Sequence, residues 1–304
     1  MLASIAGVLT MPPTILVPVD HSSQSLAGLT YALVSFPDAT VTAIHVVDVE
    51  YDEYGEVGLA TSRDEQLRDG AERILETAVE VAAEYGRDID VSLEWGTPHR
   101  SIVSYAVDHD VDHIVMGSHG ESPIVRPFLG HVTEAVVRRA PTSTTVVPVS
   151  QPTIQQWDLP GRVLVPIDGS EQSLAALDYV VDRFPTARVT IFHAIPRLFE
   201  YDVDPAGTYV EELIETATER GKSVVDSAKE RVDDDDIVLE TTIEYGEPSR
   251  SILEYATENA FDQIVMGSHG RSLPARIVTG SVAETVSRRS TLPVTLVKGK
   301  PNDW

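Results

Sequence analysis

One stretch of this chain is written twice. Ile114-Val115-Met116-Gly117-Ser118-His119-Gly120 returns, about 150 residues later, as Ile264-Val265-Met266-Gly267-Ser268-His269-Gly270. Each copy is an apolar run that stops at a glycine turn, followed by a further glycine and a helical stretch. The surrounding residues repeat as well. Val17-Pro18-Val19-Asp20 matches Val165-Pro166-Ile167-Asp168, Gly96-Thr97-Pro98 matches Gly246-Glu247-Pro248, and Gly130 matches Gly280. A chain of 304 residues has room for two domains of ordinary size. The repeat therefore reads as one domain duplicated. Residues 14–150 form the first copy, 151–160 a linker with Pro152 and Pro160, and 161–300 the second. Residues 1–13 are an N-terminal extension, either disordered or preceding a true start at Met11.

Within each copy, strand and helix signals alternate. Short apolar runs at 14–19, 40–47, 89–94, 113–117 and 143–149 predict five buried strands, mirrored at 162–167, 187–194, 237–243, 263–267 and 293–298. Leu174, Leu177, Val181 and Phe184 recur at helical spacing, as do Leu67, Ala71, Ile74, Ala78 and Ala82. Pro98 and Pro248 suit the first turn of a helix. Arg138-Arg139 and Arg288-Arg289 suit the negative end of a helix dipole. The expected fold is α/β: two tandem, doubly wound, five-stranded parallel sheets. In such sheets ligands sit beyond the carboxyl ends of the strands, where the winding direction reverses. Each fifth strand is apolar and would aggregate as an open edge. Pairing the halves along it, as an intrachain pseudo-dimer, removes that edge.

Composition narrows the function. The formal charge is −25, with only four lysines, which argues against nucleic acid as the main partner. At ~1 M salt the Debye length is only ~3 Å, so such a surface suits a salt-rich cytoplasm; acid-rich, lysine-poor composition resembles that of salt-accumulating halophiles. No apolar run approaches the ~20 residues that span a membrane. With no cysteine there is neither a disulfide nor a thiolate metal site. The expected location is cytoplasmic. The acidic run Asp233-Asp234-Asp235-Asp236 reads as solvated surface.

The candidate site is clearest in the second copy. Gly267 and Gly270 are expected to turn the backbone tightly and let it approach a ligand, with their N–H groups forming an anion nest. Gly280 and Ser281 open a helix whose free N–H groups and dipole favour phosphate; the Ser281 hydroxyl caps that helix or meets a phosphate oxygen. Arg271 and Arg276 on the intervening loop face the outer phosphates. Asp168, at the end of the first strand, accepts from an adenine amino group or a ribose hydroxyl.

With these residues in view, the chain resembles the universal stress protein family over nearly all of both halves. The family's pattern Gly-x2-Gly-x9-Gly-Ser/Thr is met in full by Gly267, Gly270, Gly280 and Ser281. The resemblance implies a Rossmann-like, adenine nucleotide alpha hydrolase-like fold that binds ATP, AMP or ADP, with Mg²⁺ or Mn²⁺ held mainly by the phosphates. It implies that Pro166, Asp168 and the backbone at Ala194 hold adenine, and that the glycines, Arg271 and Ser281 hold ribose and phosphates. Members also dimerise through the fifth strand, so a further homodimer is expected to be open to this chain. The first copy departs from the pattern. Pro18, Asp20, Val46, Gly117, Gly120 and Gly130 match, but His131 replaces the Ser/Thr and Glu121 stands where the second copy has Arg271; Pro123 and Pro127 stiffen the loop.

Other residues read as structural. His119 and His269 sit in the glycine loops, and His45 and His193 pack at strand ends. His109 and His113 have metal-like spacing but straddle a helix end and a strand start. No catalytic residue and no protein-only metal site is assigned. The leading expectation is an ATP-binding stress-response regulator whose nucleotide sets a conformation read by an unknown protein partner, at most a slow ATP hydrolase. The alternative is a nucleotide-free interaction scaffold.

Overall fold

The computed structural model describes residues 12–48, 60–119, 129–148, 160–196, 208–232, 237–268 and 280–298. The first half runs β1 (Thr14–Pro18), α1 (Ser23–Ser35), β2 (Thr40–Val47), α2 (Ala60–Glu84), β3 (Asp90–Trp95), α3 (Pro98–Asp108), β4 (His113–Gly117), α4 (His131–Arg139) and β5 (Ser143–Val147). The second half repeats this order as β6 (Arg162–Pro166), α5 (Glu171–Arg183), β7 (Arg188–Ile195), α6 (Thr208–Glu230), β8 (Leu239–Tyr245), α7 (Pro248–Glu258), β9 (Gln263–Gly267), α8 (Ser281–Arg289) and β10 (Val294–Val297).

All ten strands join one sheet in the order β3-β2-β1-β4-β5-β10-β9-β6-β7-β8. Within each half the pairing is parallel, and β5 meets β10 antiparallel, with Thr145 opposite Thr295. The two five-stranded sheets are thus fused through their fifth strands, and each fifth strand is paired on both sides. The winding reverses between β1 and β4, and again between β6 and β9.

The inner strands are buried because both faces carry helices, whereas the third strands of each half, β3 and β8, lie at the sheet edges and are partly exposed, not buried as the apolar runs suggested. Ile15, Val17, Val41, Ala43, Val163, Val165, Val189 and Ile191 share a core with Ile74, Leu75, Ala78 and Ala82 of α2 and with Leu177 and Val180 of α5. That core is continuous across the two halves; Phe36 and Phe184 meet there with ring centroids 5.6 Å apart. On the opposite face the core divides, with Leu16, Ile44, Ile102 and Val136 in one cluster and Leu164, Phe192, Ile252 and Val286 in another. Leu67, expected in the stripe of α2, is exposed. The reason is length: a 25-residue helix spans roughly 37 Å, whereas the eight-residue β2 spans roughly 27 Å, so the first turns of α2 overhang the sheet.

A buried polar chain crosses the junction. The Tyr31 hydroxyl donates to Gln263 Oε1 (2.7 Å), and Gln263 Nε2 donates to Thr295 Oγ1 (2.6 Å). Thr295 and Thr145 hydroxyls are 2.7 Å apart, Thr145 reaches His113 Nε2 at 2.7 Å, and His113 Nδ1 lies 3.1 Å from the Tyr179 hydroxyl. Repeat-related positions face each other along it, except that His113 occupies the place of Gln263. Every member has a partner, as burial demands.

Candidate nucleotide site

In the second half β6 stops at Pro166, and the next residues turn into α5. Gly169 has φ 79°, a left-handed value that glycine adopts freely. Asp168 Oδ1 accepts from the Ser170 backbone N–H (2.9 Å) and from the Ser170 hydroxyl (2.5 Å). Ser170 in turn caps α5 by accepting from the Ser173 N–H at 3.2 Å. The Asp168 side chain is exposed at the strand end while one of its oxygens fixes its orientation. His193 Nδ1 donates to the Ile167 carbonyl at 2.7 Å, which ties β7 to this turn beside Ala194.

Gly267, the last residue of β9, is buried, and its φ is not positive. Its lack of a side chain serves packing: a Cβ there would lie 2.7 Å from the carbonyl of Gln172 in the first turn of α5. Gly117 has the same role, since its Cβ would lie 2.6 Å from the Gln24 carbonyl. Neither Gly117 nor Gly267 needs glycine for its φ; close packing against the helix is what requires it. They let the first turn of a helix sit on the end of the strand, which brings the Asp168 turn beside β9.

Gly280 lies at the N-cap of α8, and its N–H donates to the Ser268 carbonyl at 2.8 Å. Ser268 donates to Val297 at 3.0 Å. The helix start is thereby clamped to the end of β9, although eleven residues separate Ser268 from Gly280 in sequence. Ser281 is the first helical residue and is exposed; the cap position is Gly280, so Ser281 does not cap the helix as one reading of the sequence expected. The first intrahelical bond runs from Glu284 N–H to Gly280 (2.8 Å), so the N–H groups of Ser281, Val282 and Ala283 precede any intrahelical acceptor. Pro166, Asp168, Ala194, Gly267, Gly280 and Ser281 therefore lie together at the carboxyl ends of β6, β7 and β9, at the reversal of winding. Gly270, Arg271, Arg276 and His269 lie outside the described residues.

The first half builds the same frame. Asp20 Oδ1 accepts from the Ser22 N–H (2.9 Å) and the Ser22 hydroxyl, His45 Nδ1 donates to the Val19 carbonyl (2.7 Å), and the Gly130 N–H donates to Ser118 (2.8 Å). Pro18 and Val46 end β1 and line β2 at the same edge. Two differences stand out. Thr133 of α4 donates to the Gly117 carbonyl at 2.8 Å, where the second half has Ala283. His131 is exposed at the helix start and meets His99 of α3 edge-on, ring centroids 6.1 Å apart. Gly120, Glu121, Pro123 and Pro127 lie outside the described residues. Sequence reading missed Ser22 and Ser170, although Asp20-His21-Ser22 and Asp168-Gly169-Ser170 repeat the Asp-x-Ser spacing. It also missed Thr133.

At the entrance of α7, Glu247 accepts from the N–H groups of Ser249 (3.1 Å) and Arg250 (2.8 Å). Burial works against its charged form, but these bonds, the Ser249 hydroxyl and nearby Arg289 hold its carboxyl below the usual range. Among the described residues no group of three His, Cys, Asp or Glu is placed to hold a metal ion, and no helix is long and apolar enough to cross a membrane. His109, one of the metal-spaced pair, stacks on Tyr105 with centroids 3.8 Å apart, whereas His113 lies in the junction.

A doubly wound α/β domain with a helix start clamped at the switch point, duplicated in one chain, defines the structural class. The sequence profile described as "Universal stress protein family" matches twice, over residues 11–148 and 160–298, and the chain belongs to that family as a tandem member. A universal stress protein of Mycolicibacterium smegmatis is 26% identical over 289 residues, covering 93% of this chain and 96% of the relative. Universal stress protein YxiE of Bacillus subtilis is 31% identical over 145 residues, which are 45% of this chain and 98% of the relative. The crystal structure of a universal stress protein from Archaeoglobus fulgidus superposes with a TM-score of 0.64 at 23% identity, covering 95% of this chain and 99% of the other.

Proposed function

We propose that this chain is an adenine-nucleotide-binding stress-response protein in which the second half is the better site. The observation that carries nucleotide binding is the clamp of Gly280 to Ser268, which holds the α8 start at the switch point; the first half has the same clamp from Gly130 to Ser118, so the preference for the second half rests on Ser281 where the first has His131. An anion there meets three N–H groups and the positive end of the helix dipole, worth ~0.3–1 kcal/mol when exposed and ~2 when partly buried. Asp168, with one oxygen fixed by Ser170, is an acceptor for the amino group or hydroxyls of a nucleoside. The donor set suits ATP, with Asp168 and the backbone at Ala194 toward the base and Gly280 and Ser281 toward the phosphates; Arg271 is a candidate from the sequence alone. A divalent ion would be held through the phosphates. In the first half, the imidazole of His131 at the helix start makes a poorer phosphate corner, and the sequence carries the acid Glu121 where the second half has Arg271. Bound nucleotide would set a conformation read by a protein partner; turnover, where it occurs, would be slow.

The test is calorimetric titration of ATP–Mg²⁺ into the intact protein in molar KCl. The expected stoichiometry is near one, lost in Gly280→Val, weakened in Ser281→Ala and kept in His131→Ala. Equal sites would refute the preference for the second half. Absence of heat up to millimolar ATP would favour a nucleotide-free scaffold, a reading supported by the continuous sheet through β5 and β10.

A further inference from the structure

The starts of α4 and α8 are repeat-related, yet they are not fastened alike. Both carry the backbone bond from the capping glycine to the strand end, Gly130 N–H to the Ser118 carbonyl and Gly280 N–H to the Ser268 carbonyl, each at 2.8 Å. One turn into α4, the buried hydroxyl of Thr133 also donates to the Gly117 carbonyl at 2.8 Å. The equivalent residue of α8 is Ala283, equally buried, whose methyl group cannot make that bond. Lifting the first turn of α4 off β4 must therefore break a hydrogen bond that α8 does not have. The net worth of one such bond corresponds to about a three- to tenfold change in an opening equilibrium.

The far end of α8 is held. Arg288 Nη2 bonds Glu134 Oε1 in the first turn of α4 (2.9 Å) and Glu284 Oε1 one turn back in α8 (2.8 Å). Helix α8 thus stands with its last turn on α4, which Thr133 fastens to β4, while its first turn lacks the side-chain bond. We infer that Thr133 is a positioning residue that locks the phosphate corner of the first half, so that movement driven by nucleotide is confined to the start of α8. Phosphates meeting the N–H groups of Ser281, Val282 and Ala283 would tighten a helix start that can still respond, and the first half would stay a fixed footing for it. The lock belongs to the nucleotide-free chain; the one-sided movement also rests on the nucleotide binding proposed above.

Native amide hydrogen exchange on the intact protein in molar KCl reads both. The amides of Glu134, Ala135 and Val136, and those of Glu284, Thr285 and Val286, are the first with acceptors inside their helices. Without nucleotide, the α4 set is expected to be about three- to tenfold more protected than the α8 set. Thr133→Val, which keeps the branched shape and removes the hydroxyl, is expected to abolish that difference, whereas Thr133→Ser keeps the hydroxyl and should retain it. Packing alone would rank these two variants the other way. Ala283→Ser should bring the α8 set toward the α4 level. Saturating ATP–Mg²⁺ is expected to raise protection in the α8 set and leave the α4 set unchanged, with a smaller rise in Ala283→Ser. Equal protection of the two sets in the wild type, or a Thr133→Val variant that exchanges like the wild type, would overturn the lock. Should Thr133→Val not fold, Ala283→Ser decides, and no gain in its α8 set would overturn the lock. Equal ATP-induced protection at both helix starts, or calorimetric heat without any change in exchange, would overturn the one-sided movement alone. Neither heat nor change would refute nucleotide binding and the movement with it, with the lock still decided in the nucleotide-free protein.

Discussion

His113 shows how a single position sets a property of the whole. It is fully buried in the polar chain of the junction, and burial, aided by the charge of Arg183, pushes its pKa down to about 3. The folded protein holds it neutral, while the unfolded chain takes up a proton near pH 6.5. Below that value the unfolded state binds more protons, so stability falls with pH by about 1.4 kcal/mol per unit until the folded value is reached. Gln263 fills the repeat-related position without titrating. His113→Gln is therefore expected to keep the network and flatten the acid limb: between pH 7 and 5 the wild type should lose about 2 kcal/mol more than the variant in urea unfolding. Parallel loss in both would show that His113 does not govern acid stability. Residues of this kind were only half legible in the sequence. Gly117 and Gly267 announced themselves by repetition, but their reason, the helix turn at Gln24 or Gln172, lies about ninety-five residues away along the chain. Asp168 was legible as a strand-end carboxylate; its lock on Ser170 was not sought.

At the level of elements, strands read well because those buried on both faces must be continuous apolar runs. The expected strands at 40–47, 113–117 and 263–267 coincide with β2, β4 and β9. Most others shifted by one or two residues, at ends where pairing rather than hydropathy decides the boundary. Helix α2 carries a further consequence. Glu72, Glu76, Glu80 and Glu84 are exposed at i,i+4 spacing, so each faces a like charge one turn away. Such pairs destabilise a helix by roughly 0.2–0.5 kcal/mol each, and salt screens them. Glu80→Lys turns two repulsive pairs into attractive ones. It should raise Tm in low-salt buffer, and the gain should shrink toward zero in molar KCl. A gain independent of salt would assign the effect to something other than charge.

For the whole molecule, the repeat suggests two independent domains, but the packing argues for one cooperative unit. The α1–α2 and α5–α6 face has a single core running through Phe36, Val147, Phe184 and Val297. The sheet is unbroken through Thr145 and Thr295, and Tyr31 is bonded to a residue 232 positions away. None of these contacts could be read from either copy alone, because each joins positions whose partners belong to the other half. If the shared core dominates, melting in molar KCl, where the −25 charge is screened, should give one transition whose van't Hoff and calorimetric enthalpies agree. Phe36→Ala removes a ring that touches Tyr31, His113 and Phe184, and should cost about 3–5 kcal/mol. Because the lost contacts lie in the seam, that variant should also be the one in which the transition broadens or splits. Two transitions already present in the wild type would mean that each half stands on its own core, and that the fused sheet adds little to either.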